Sequence, residues 1–167
     1  MLQDAQLAAL GSICDLFDRQ GIEYWLFGGW AVDFHAGCPS RAHDDLDLAV
    51  WVGDHSRIAG MLTSEGWAHA PEPGEDGYTG YERSGVRLEL AFLDRDEDGE
   101  VYTPLQDGRG LWPDDAFGDD VAELKGVRAR VIGLGALRAD KSEPHDDLRV
   151  AAKDRADLAT LDAARQE

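Results

Sequence analysis

Two stretches of this chain alternate with a period of two, and that pattern restricts its fold more than any other feature. In Asp45–Val52, Leu46, Leu48, Val50 and Val52 fall on one side, and Asp45, Asp47, Ala49 and Trp51 on the other. In Val86–Leu93, Val86, Leu88, Leu90 and Phe92 oppose Arg87, Glu89 and Ala91. Successive side chains of a β-strand point to opposite faces, so each run reads as a strand with one apolar face turned to a core.

Helical spacing surrounds these strands. Leu7, Leu10, Cys14 and Phe17 form a stripe over residues 4–19, with Asp4 as the expected N-cap and Gly21 as the stop. Ile22–Phe27 reads as a short strand, Trp30–His35 as a helix, and His55–Glu65 as a helix capped by Asp54. Residues 100–104 return as a hairpin strand, and Val127–Ile132 adds another. A last helix over Asp146–Ala164 is expected to bury Leu148, Ala151, Ala152, Leu158 and Leu161. Acidic loops at 71–77 and 114–120 connect the pieces. The expected fold is α+β, α/β-like in flavour: a small mixed β-sheet flanked by helices, in a single domain over residues 1–167.

Charge narrows the partners. With 16 Lys and Arg against 34 Asp and Glu, the net charge is −18. A field of that sign repels nucleic acid and anionic membranes and concentrates cations, so a cationic substrate is one use for it and solubility is the other. No apolar run reaches the roughly 20 residues of a membrane span. The first residues lack a basic start and a small-residue cleavage site, which gives the expectation of a cytoplasmic protein. Cys14 and Cys38 make no disulfide framework, and the scattered histidines have no zinc spacing. Asp94–Gly99 copies the first half of a calcium loop, but Leu105 stands where the closing Glu belongs, so a hairpin turn is expected.

Chemistry concentrates between Tyr24 and Leu48. Gly28-Gly29 follows a buried strand, where the lack of Cβ lets backbone approach a bulky anion. A helix starting there offers free N–H groups to phosphate. Asp45-x-Asp47 puts two carboxylates on one strand face, a mount for a hard cation such as Mg²⁺. Glu89 supplies a third carboxylate if its strand neighbours the first. Within the motif, His43 is the one histidine worth testing.

These residues resemble the DNA polymerase β-like nucleotidyltransferase superfamily, whose signature is a Gly-Gly or Gly-Ser after a strand, then Asp-x-Asp on the next. The resemblance is closest to lincosamide nucleotidyltransferases and aminoglycoside 2″-adenylyltransferases. Tyr24-Trp25-Leu26, Gly28-Gly29-Trp30, Val32-Asp33 and Arg41 to Asp47 carry it. Leu88-Glu89-Leu90 stands where those relatives carry a third carboxylate, usually Asp. Arg149, Lys153, Asp154 and Asp157-Leu158 fit a loose helix pattern of the superfamily.

The resemblance implies Mg²⁺-dependent transfer of a nucleoside monophosphate, AMP from ATP, to a hydroxyl of a small acceptor such as an aminoglycoside or lincosamide antibiotic. Asp45, Asp47 and Glu89 are then metal ligands, and Glu89 is the base. Gly28, Gly29, Arg41, Lys141 and Lys153 are the nucleotide-binding candidates; surface salt bridges are the alternative for the three cations. Two other uses stay open: transfer of AMP to a partner protein, as antitoxin-like relatives do, and nucleotide binding without catalysis.

Overall fold

The computed structural model describes residues 1–165. The chain opens with α1, Leu2–Gln20. Leu7, Leu10, Ile13, Cys14 and Phe17 form its buried stripe, and Gly21 ends it at φ 70°. Met1 is at the N-cap, one turn earlier than Asp4, which instead places its charge in the positive first turn. α1 also anchors the coming motif, because Gln6 Nε2 donates to His43 O and Gln3 Nε2 to Arg41 O, both at 2.9 Å.

The central sheet has the order β1-β2-β5-β4-β3. β1 (Tyr24–Phe27) runs antiparallel to β2 (Leu46–Trp51), and Phe27 pairs with Asp47. β2 runs parallel to β5 (Val86–Arg95), so the two alternating stretches are neighbours, with Asp47 opposite Glu89. Leu46, Leu48, Val50, Val86, Leu88 and Leu90 enter the core, as their period requires. Val52 does not. It starts a 3-10 turn over Val52–Asp54 and is exposed, because the strand ends at Trp51.

That turn runs into α3 (His55–Ser64), whose first turn takes no capping hydrogen bond from the Asp54 side chain. β3 (Ala68–His69) and β4 (Tyr78–Arg83) complete this side of the sheet. The β4 sequence does not alternate: Thr79, Gly80 and Tyr81 are all buried. β6 (Val101–Leu105) folds back on the end of β5, and β7 (Gly108–Leu111) pairs with β6. The expected hairpin turn lies between β5 and β6, where Asp96 Oδ1 accepts from the Asp98 and Glu100 amides at 2.9 Å.

A separate hairpin, β8 (Val121–Leu124) with β9 (Val127–Arg130), packs against α1. α2 (Gly28–Ala36), α4 (Leu134–Lys141) and α5 (Leu148–Arg165) lie against one another. The expected apolar stripe of the last helix is corrected here. Leu148 is 81% exposed, and the inward residues are Asp154, Asp157 and Leu161. Two carboxylates occupy the buried face because cations from other elements meet them there. Among the described residues no helix is long and apolar enough to cross a membrane.

Candidate active site

Asp45, Asp47 and Glu89 converge where β2 begins beside β5. One carboxylate oxygen from each lies within 4.8 Å of the others. Burial, and next the charges of Asp45 and Glu89, hold Asp47 well above the ordinary carboxylate range. Asp45 is raised by burial first, with Asp44 adding to it. Glu89 is raised by burial and then by Asp45, and Arg87 partly offsets this through a 3.3 Å contact to Oε1. Such a cluster resists ionisation until a cation joins it. Three hard oxygen donors this close suit Mg²⁺ or a similar ion.

Gly28 and Gly29 are both required by the chain's own side chains. Gly28 has φ 72°, and a Cβ there would fall on the Asp47 carboxylate. A Cβ on Gly29 would meet His43 Nδ1 and come within 2.9 Å of Arg41 Nη2. The diglycine therefore brings the start of α2 against the metal-type carboxylates and the histidine. Phe27, at the N-cap, gives that helix no side-chain acceptor. Gly28→Ala should lower stability by about 1–2 kcal/mol for the left-handed backbone alone, and by pushing Asp47 aside it should weaken divalent-ion binding. Thermal melts with and without MgCl₂ check both; an unchanged response to the ion would dissociate Gly28 from the Asp47 position.

His43 is buried, and its Nε2 meets Asp33 Oδ2 at 2.7 Å. The other Asp33 oxygen accepts from the amide and hydroxyl of Ser40. This network fixes the loop between α2 and β2. Asp33 stood in the sequence only as part of the motif that carries the resemblance, with no role assigned, and Ser40 had none either, because nothing local shows that the two meet His43.

Arg41, Lys141 and Lys153 line one cavity of about 220 Å³ with Gly28, Gly29 and Asp47. The structure thus brings the expected nucleotide-side residues together, yet each cation already has an acidic partner. Arg41 makes a two-pronged contact to Asp157, at 2.8 and 2.9 Å. Lys141 reaches Asp157 at 3.0 Å and Asp154 at 3.6 Å. Lys153 holds Asp44 at 2.6 Å in an exposed pair. Arg149 stands apart, 90% exposed beside Asp147.

Burial pushes Asp157 up, but Arg41 and Lys141 outweigh it and leave the carboxyl below its ordinary value. A group lowered by folding contributes stability that is present above its unfolded pKa and lost as the pH falls through the folded one. Asp157→Asn should cost about 3 kcal/mol at pH 7, the scale of breaking a buried ion pair. The cost should shrink toward about pH 3. Denaturation at both pH values measures it; equal losses would mean that shape rather than charge carries the contact.

A second cavity of about 270 Å³ is walled by Phe27, Tyr78, Ala91 and Trp112 and reached by Asp47 and Glu89. Asp47 borders both cavities. A larger hollow of about 530 Å³ lies between α1 and the β8–β9 hairpin, but it touches none of the three carboxylates, so the chemistry belongs to the smaller pair.

Mixed-sheet topology with a Gly-Gly, Asp-x-Asp and Glu constellation defines a nucleotidyltransferase-type fold. The chain belongs to the aminoglycoside-2″-adenylyltransferase family, whose model matches residues 9–161. A lincosamide resistance protein of Staphylococcus haemolyticus is 47% identical over 36 residues, covering 22% of each chain. A 2″-aminoglycoside nucleotidyltransferase of Escherichia coli is 34% identical over 47 residues, 28% of this chain and 27% of that one. The matches thus span about a quarter of these curated relatives' length.

Among solved structures, the lincomycin-bound lincosamide antibiotic adenylyltransferase LnuA superposes with TM-score 0.72 at 20% identity, covering 90% of this chain and 95% of that one. ANT(2″)-Ia in complex with adenylyl-2″-tobramycin gives TM-score 0.62 at 16% identity, covering 97% and 98%. At those identities the likeness is one of fold.

Proposed function

We propose that this protein transfers a nucleoside monophosphate, AMP from ATP, to a hydroxyl of a small lincosamide- or aminoglycoside-like molecule, with Mg²⁺ as cofactor. The observation that carries this reading is the placement of Asp47, flanked by Asp45 and Glu89, on the border between two cavities. One cavity is lined by glycines and cations suited to a triphosphate. The other is open to an acceptor.

In this reading Asp45 and Asp47 hold the metal, and Glu89 contributes to its shell or stands beside it. When bound, Mg²⁺ neutralises charge on the phosphate oxygens as it develops in the reaction. The amides of Gly28 and Gly29 at the start of α2 face phosphate oxygen. Lys153 is the cation most easily released to phosphate, because its partner Asp44 is exposed and surface pairs contribute little. Lys141 follows. Arg41, committed to buried Asp157, orients the loop and stays close to the anion.

The acceptor oxygen bonds to the α-phosphorus as the bond to the β-phosphate oxygen breaks. Its proton passes to Glu89 and pyrophosphate leaves. The −18 charge accords with a small-molecule acceptor and disfavours nucleic acid.

The test is mass spectrometry of lincosamide and aminoglycoside panels incubated with the protein, MgCl₂ and each NTP. The expected result is an acceptor heavier by one AMP, pyrophosphate in equal amount, and no product in EDTA. No transfer to any member, with Mg-ATP binding demonstrated, would overturn the assignment to small-molecule acceptors.

A further inference from the structure

The second cavity has walls of a kind that the overall charge does not suggest. Trp112 meets Phe27 edge to face, at 5.4 Å between centroids and 85° between planes. Phe117 supports Trp112 from 5.1 Å, and Trp25 supports Phe117 from 5.0 Å. The Trp112 Nε1–H donates to Thr103 Oγ1 at 2.8 Å, so the polar atom of the indole is satisfied within the protein. What Phe27 and Trp112 offer to the cavity is rigid aromatic surface, held in place before any ligand arrives. Tyr78, the register partner of Ala91 on β5, adds a third ring.

The carboxylates of this cavity are mostly committed. Asp47 and Glu89 belong to the metal-type cluster, and Glu89 also contacts Arg87. Glu72 and Glu82, from the surrounding acidic surface, are paired with Arg87 as well. Asp76 is the remaining acid of the lining. It is exposed, and one of its oxygens accepts from the Gln106 amide at 2.9 Å. An ammonium group brought out of water needs a partner for its charge. This cavity provides for one such group and sets aromatic carbon against the rest.

We propose, on the reading above that this is a nucleotidyltransferase, that the cavity of Phe27, Tyr78 and Trp112 selects a hydroxylated acceptor with a broad apolar ring face and a single amine. Saccharides bearing several amines are disfavoured. Trp112 and Phe27 pack on the apolar face, Asp76 receives the amine, and the hydroxyl lies toward Glu89. The large negative charge acts at longer range, drawing cations to the surface without setting which of them fits.

Steady-state kinetics with the full chain, MgCl₂ and ATP compare lincomycin, which carries one amine, with tobramycin, which carries several. We expect kcat/KM for lincomycin to exceed that for tobramycin by about tenfold or more. Trp112→Ala should raise the lincomycin KM about tenfold and leave Mg-ATP affinity within a few-fold. Trp112→Phe should restore most of the loss, which separates stacking from a folding defect. Asp76→Asn, at an exposed site, should raise the lincomycin KM a few-fold and leave tobramycin less affected. A preference for tobramycin, or a lincomycin KM indifferent to both Trp112→Ala and Asp76→Asn, overturns the proposal. If neither acceptor receives AMP, calorimetry with MgCl₂ and a non-transferable ATP analogue decides. Lincomycin binding that is lost in Trp112→Ala supports the cavity while transfer itself is refuted; no lincomycin binding overturns the cavity assignment, and ATP binding is scored independently.

Discussion

Asp47→Asn should remove nearly all transfer activity, lowering turnover by about 10³-fold, which corresponds to several kcal/mol of charge stabilisation supplied through the metal. It should also make the metal-free protein more stable than its parent. Both effects follow from the position of Asp47 between Asp45 and Glu89, where burial and two like charges hold it far above the usual carboxylate range. A group raised by folding weakens the folded state once the pH exceeds its unfolded value, and the amide removes that penalty without changing shape. The parent should therefore melt at lower temperature than Asp47→Asn in EDTA, and gain more from MgCl₂, since binding to the folded state alone adds stability by mass action. Melting curves with and without the ion, beside turnover, read both effects. A variant that keeps the parent's response to MgCl₂ would remove Asp47 from the metal site.

The pairing of Asp47 with Glu89 was legible in the sequence because each strand has one buried face. A slip of one residue would turn Leu46, Leu48, Leu88 and Leu90 outward and drive the carboxylates into the apolar core, so the apolar pattern settles which side chains share a face. The diglycine was legible as a site of close approach, though what approaches within the chain itself is Asp47 and His43.

Other parts were hidden for physical reasons. β4 carries Thr79, Gly80 and Tyr81 in a buried stretch without alternation. Gly80 is small because Arg87 lies over it. α5 misled because hydrophobic spacing assumes that a helix buries its apolar residues. Here Asp154 and Asp157 face inward, their charges met by Lys141 at the end of α4 and by Arg41 from far earlier in the chain. Such a partnership has no local signal. The same holds for Trp112, which the sequence leaves as one aromatic residue in a loop. The fold sets it against Phe27, which lies beside Asp47 in register.

Glu89→Gln should separate proton removal from nucleotide binding. Glu89 differs from the Asp pair in its surroundings: Arg87 holds Oε1 at 3.3 Å, while burial and Asp45 raise its affinity for a proton above that of a free glutamate. A carboxylate more basic than usual, steadied by a guanidinium and bordering the second cavity, is suited to accept the proton of an incoming hydroxyl. Its contribution arises as that proton leaves, so removing it affects the transition state far more than the bound nucleotide. Glu89→Gln is expected to lower kcat by about 10²-fold while Mg-ATP affinity stays within a few-fold of the parent. Asp47→Asn, by contrast, should lose both. Glu89→Asp should recover part of the rate, since it restores the charge but withdraws the oxygen by one methylene. Turnover and calorimetric ATP binding on the three variants give the comparison. Near-parental turnover in Glu89→Gln at saturating Mg-ATP and acceptor would exclude Glu89 as the base and leave the Asp45–Asp47 pair in place. A loss of ATP affinity as large as that of Asp47→Asn would instead make Glu89 chiefly a metal ligand.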